Sequence, residues 1–129
     1  MRGGRPKRFA ADFELSDRAI DSETHVIEVG GEVDLYTAPE FKTRLHDLID
    51  EGKSQLVVDL SRATFIDSTT LGVLVGGLKR LRPTGGSLVL VCTEPSIGRV
   101  FDVTGLDRAL PVYATVEEAI AGSELQHDD

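Results

Sequence analysis

The chain has no tryptophan, two tyrosines, one methionine and one cysteine among its 129 residues. A lone cysteine, Cys92, cannot close an intramolecular disulfide, and it excludes a cysteine-built metal site. That usage fits a reducing, cytoplasmic setting. With so few aromatic rings there is no platform for stacking bases. Positive charge is also scarce: 14 Lys and Arg stand against 22 Asp and Glu, a formal net charge of -8. This balance argues against binding a phosphate backbone, so no direct nucleic-acid partner is expected. No apolar run approaches the ~20 residues that a membrane helix needs, and no membrane partner is expected. The opening MRGGRPKRFA is basic but has no apolar stretch of the secretory kind.

Catalytic signatures are missing too. His25, His46 and His127 lie in a strand, a helix and the chain end, none at metal-ligand spacing, and HExxH is absent. The pairs Gly30-Gly31 and Gly85-Gly86 extend to neither GxGxxG nor GxxxxGK, and there is no GxSxG elbow. Cys92 ends an apolar strand and reads as a small core residue. No enzyme activity, cofactor or metal is expected.

What is present suits one globular domain: 40% apolar and 28% charged residues. Residues 1–8, with Arg2, Arg5, Lys7 and Arg8 and no acid, read as a short disordered basic arm or an expression remnant. The domain is assigned to residues 9–122, and residues 123–129 read as a polar C-terminal tail. Phe9–Ile20 and His25–Val33 form two strands around a polar turn. Ala38–Glu51 is an amphipathic helix with Pro39 in its first turn and Gly52 as its stop. Gln55–Leu60 and Ser87–Cys92 are short β-branched runs of the kind buried in parallel sheets. Ser68–Leu81 is a helix through Leu71, Leu74, Val75, Leu78 and Leu81. Gly72, Gly76 and Gly77 each oppose it by about 1 kcal/mol, which packing overrides, and would let it lie close to a sheet. Pro95–Val103 is a helix ended by Gly105, Ala109–Tyr113 a strand, and Val116–Ala121 a helix capped by Thr115. The order β-β-α-β-α-β-α-β-α predicts an α/β domain with a mostly parallel sheet of about five strands and about four helices.

One segment carries a sharper message: Thr64-Phe65-Ile66-Asp67-Ser68-Thr69-Thr70-Leu71-Gly72-Val73-Leu74. It places an Asp-Ser-Thr-Thr run where a strand gives way to a helix, at the sheet edge where α/β sites gather. Either Asp67 or Ser68 would serve as the helix cap.

FIDSTTLGVLVGGLKRL resembles the signature of anti-sigma factor antagonists of the STAS (sulfate transporter and anti-sigma factor antagonist) domain family. Three more stretches match in order: Gly31-Glu32-Val33-Asp34 with Thr37-Ala38, Leu56 to Ser61, and Ile97 to Leu106. The resemblance spans about residues 9–121. It implies a STAS fold and a bacterial, cytoplasmic regulator of transcription in the stress response, monomeric or weakly dimeric, acting by partner switching. Its partners would be an anti-sigma factor that is itself a serine kinase and a serine/threonine phosphatase that resets the switch. Ser68 falls on the phospho-acceptor, with Thr69 and Thr70 as rivals. Asp67 is the acid before it, and Asp34 matches an aspartate beside that serine. The implied partner-binding surface is Glu32, Asp34, Asp67, Ser68, Thr69, Thr70 and Val73. One residue departs from the pattern: Thr70 stands where the family usually has glycine, adding a β-branch and a hydroxyl. The alternative is a STAS module that scaffolds a signalling complex or binds a nucleotide or lipid as a transport subunit.

Overall fold

A computed structural model describes residues 13–127; residues 1–8, expected to form the basic arm, and the first residues of the expected first strand lie outside them. The chain runs β1 (Glu14–Ala19), β2 (Thr24–Val33), α1 (Ala38–Asp50), β3 (Gln55–Asp59), β4 (Ala63–Ile66), α2 (Ser68–Leu81), β5 (Ser87–Val91), α3 (Pro95–Thr104), β6 (Val112–Tyr113) and α4 (Val116–His127). Short 3-10 turns follow α2 and α3. The strands form one sheet in the order β1-β2-β3-β5-β6, with β4 also paired to β2. Only the β1–β2 pair is antiparallel. The α/β class, the four helices and the mostly parallel sheet stand as expected; among the described residues the sheet has six strands, against about five expected.

The additional strand has a local cause. β2 pairs with β3 through Thr24–Glu28 and then, past an irregularity at Gly31 and Glu32, with β4 through Gly31–Val33. Gly31 adopts φ +78, which glycine tolerates, and its N–H donates to the Arg62 carbonyl at 2.9 Å. The polypeptide beyond β3 therefore turns at Leu60–Arg62 and resumes pairing along the same edge of β2. That shift aims the end of β4 at the start of α2.

Alternation along the buried strands divides the core. Ile27, Leu56, Val58, Leu88 and Leu90 face one side with Phe41, Leu45 and Leu48 of α1, Leu74, Leu78 and Leu81 of α2 and Phe101 of α3. Val26, Val57, Val89 and Val91 face the other, beneath Ala119 and Ile120 of α4. Both faces are covered, so these strands read as unbroken apolar runs.

The C-terminal helix is longer than expected. It continues to His127, and Ser123, assigned from sequence to a polar tail, is fully buried with its hydroxyl 2.7 Å from that of Ser87. A polar residue that finds a buried polar partner is not a tail signal. Thr115 caps this helix as expected, accepting from the Glu118 N–H at 3.1 Å.

Of the three glycines in α2, packing requires one. A Cβ at Gly77 would lie 2.7 Å from Leu45 Cδ2, whereas Gly72 and Gly76 face open space. Gly77 is thus where α2 meets α1. Gly76→Ala is expected to stabilise the fold by about 0.5–1 kcal/mol through helix propensity. Gly77→Ala is expected to destabilise it by about 1 kcal/mol, overpacking outweighing propensity. Urea denaturation of the two variants side by side checks the opposite signs.

Candidate functional site

The site forms where β4 meets α2. Asp67 leaves the strand in an extended conformation (φ -127, ψ -174) and caps the helix, its Oδ1 accepting from the Thr70 N–H at 3.1 Å. Its carbonyl accepts from the Leu71 N–H at 3.2 Å. Of the two possible caps it is therefore Asp67 that caps. Ser68, the first helical residue, is exposed and its hydroxyl makes no hydrogen bond among the described residues. A free hydroxyl at a helix N-terminus is open to modification, and the positive end of the helix dipole favours an anion there.

The neighbouring wall is the loop from β2 to α1. Val33 pairs with Ile66, which sets the loop beside the start of α2. Asp34 closes the loop on itself: its Oδ1 accepts from the N–H groups of Tyr36 (2.9 Å) and Thr37 (3.2 Å), and its carbonyl accepts from the Ala38 N–H at 2.7 Å.

The seven residues expected on the partner surface do not all reach it. Glu32 and Ser68 are exposed, and Asp34, Asp67 and Thr69 are half-buried. Thr70 and Val73 require correction. Thr70 is fully buried, and its hydroxyl donates to the Val33 carbonyl at 2.7 Å. A hydroxyl buried in this way is closed to solvent, unlike that of Ser68. Val73 is 7% exposed and belongs to the core, contributing only to the floor of a groove between α1 and α2. That groove, about 320 Å³, is otherwise lined by Ala38, Pro39, Lys42, Thr69 and Gly72.

Sequence reasoning missed the apolar rim. Leu35 is 62% exposed, Tyr36 70% and Phe65 48%. Leu35 and Tyr36 sit at the loop tip, and Phe65 lies opposite Glu32 across the β2–β4 pair. Exposed apolar side chains on neighbouring segments are candidates for an interaction surface. The available signal was the Leu35-Tyr36 pair itself, placed in a turn that ordinarily would be polar.

Other reactive groups lie elsewhere. Cys92 is buried, its Sγ 3.6 Å from the Glu94 carbonyl, and burial pushes its thiol pKa up, away from a nucleophilic thiolate. Among the described residues no cluster of His, Cys, Asp and Glu could hold a metal ion, and no helix is long and apolar enough to cross a membrane. A second polar cluster joins β1, β2 and α1. Asp17 receives Arg44 Nε at 2.7 Å, Arg44 Nη2 at 2.9 Å and His25 Nε2 at 2.7 Å. The Arg44 guanidinium foremost, with the His25 ring, holds the Asp17 carboxyl down at about 2. Among the described residues no hydroxyl or thiol is hydrogen-bonded to it.

The sheet topology and the exposed serine at the capped start of α2 are the features to set beside known proteins. Residues 17–119 match the STAS domain, and the chain belongs to that family. It is 41% identical over 102 residues to the anti-sigma-B factor antagonist of Staphylococcus epidermidis, covering 76% of this chain and 94% of that one. Its structure superposes on an anti-sigma factor antagonist from Mycobacterium paratuberculosis with a TM-score of 0.81 and 27% identity, covering 89% of this chain and 97% of that one. It also resembles the Bacillus cell fate determinant SpoIIAA in its phosphorylated form, with a TM-score of 0.66 and 28% identity over 84% and 96% of the two chains. The relatives' names describe regulators, not enzymes.

Proposed function

We propose that this chain is an anti-sigma factor antagonist switched at Ser68. In its unmodified form the face around Ser68 binds an anti-sigma factor that is also a serine kinase, and the sigma factor is released. The kinase phosphorylates Ser68, the complex separates, and a serine/threonine phosphatase restores the hydroxyl. The observation that carries this reading is the division of labour at the helix start. Asp67 takes the cap, which leaves the Ser68 hydroxyl exposed and without a hydrogen bond among the described residues. The names of its relatives support the partner class, and a structural relative described in a phosphorylated form supports the modification.

Phosphopeptide mapping of the protein from growing and stressed cells tests the switch. The expected result is a phosphate on Ser68 whose occupancy changes with condition. A phosphate on Thr69 instead would move the site by one residue. No phosphate in any condition would overturn the switch and favour the scaffold or small-ligand reading, for which the groove between α1 and α2 is the place to look. Ser68→Ala is expected to keep the fold and partner binding while losing kinase labelling. Labelling at unchanged stoichiometry would sink the assignment.

A further inference from the structure

We infer that Thr70 is a positioning residue, holding the two halves of the site, the β2–α1 loop and the Ser68 end of α2, in one fixed relation. The inference rests on reading this face as the docking surface. Its basis is where the last two carbonyls of β2 find their donors. The Glu32 carbonyl accepts from the Thr37 hydroxyl at 2.9 Å, and the Val33 carbonyl accepts from the Thr70 hydroxyl at 2.7 Å. The first bond lies within the loop; the second crosses to α2. Thr70 is fully buried and its own N–H is held by Asp67 Oδ1, with its hydroxyl 3.3 Å from the same oxygen. One side chain therefore connects the cap beside Ser68 to the strand end from which Asp34, Leu35 and Tyr36 project. Glycine at this position would remove that donor from the Val33 carbonyl, and losing a buried hydrogen bond is costly. Within the loop, Asp34 accepts from the N–H groups of Tyr36, Thr37 and Ala38.

Native-state amide hydrogen exchange on the full chain tests this, with Thr70→Val removing the hydroxyl at nearly constant shape and Thr70→Ser retaining it. In Thr70→Val the amides of Tyr36, Thr37 and Ala38 are expected to exchange about 10-fold faster relative to those of Val57 and Val89. Thr70→Ser is expected to return them to within about threefold of the unaltered protein. A residue that only stabilised the fold would accelerate both sets equally. That outcome, or a serine variant that behaves like the valine variant, overturns the inference. Should the valine variant not fold, the unaltered protein decides. A slowly exchanging Thr70 hydroxyl proton with a scalar coupling to the Val33 carbonyl carbon is expected, and a rapidly exchanging one overturns the inference. None of these readings needs a partner. Failure of the docking reading would instead appear as phosphoserine-68 protein binding the anti-sigma factor as tightly as the unmodified form.

Discussion

Phosphoserine at position 68 is expected to weaken binding to the anti-sigma factor by about 100-fold or more, while the melting temperature moves by only a few degrees. The two numbers separate because the phosphate meets different surroundings in the free and bound states. In the free protein Ser68 is exposed, so the added charge of about -1.5 to -2 stays hydrated. The helix N-terminus favours it by about 0.3–2 kcal/mol, offset by the negative charge of Asp67 next to it. Little of the fold depends on this balance. Under a docked partner the same group must lose its water. An uncompensated buried charge costs several kcal/mol, and each 1.4 kcal/mol is tenfold in affinity. Ser68→Asp brings one charge on a shorter side chain, and a loss of about 10-fold is expected of it. Titration calorimetry of the three forms gives the ranking. Equal affinity of the unmodified and phosphorylated proteins would refute the electrostatic account.

Asp17→Asn is expected to lower stability by about 2 kcal/mol at pH 7, an effect that disappears in acid. Asp17 is held at about 2, below its ordinary 3.8, by the Arg44 guanidinium and secondarily by the His25 ring. A depressed carboxyl stabilises the folded state fully above the unfolded value and loses that contribution as pH falls through about 2. The side chain is 20% exposed, which leaves the interaction largely unscreened. The loss in Asp17→Asn has a second component, since the buried His25 keeps its ring but loses a charged acceptor at 2.7 Å. Urea titrations at several pH values from 7 to 2.5 should show the gap between the two proteins closing below pH 4. A gap constant with pH would mean that packing rather than charge holds the cluster together.

The length and β-branching of the unbroken apolar runs at Leu56-Val57-Val58 and Leu88-Val89-Leu90 made the parallel strands legible, because both faces of those strands are buried. The leucine spacing of Ser68–Leu81 made α2 legible despite its three glycines. β4 escaped notice since Thr64 and Phe65 are exposed, and its four residues carry neither a buried run nor a clear alternation. Its existence depends on Gly31 turning the edge of β2 toward Arg62, a contact between segments far apart in the chain. The length of α4 was hidden for a similar reason: Ser123 and Ser87 are polar in sequence and satisfy each other only when buried together.

By itself the sequence determined the α/β class, because the periods of strand and helix are local properties set by residue chemistry, and the resemblance of FIDSTTLGVLVGGLKRL and the stretches around it pointed to the family. Only the tertiary structure decided how three adjacent hydroxyls divide their work. Ser68 faces water, Thr69 borders the groove, and Thr70 is turned inward onto Val33. Local propensity cannot distinguish them, because the difference lies in the strand end that packs behind them. It is that packing which supplies Thr70 with a buried acceptor and leaves Ser68 without one.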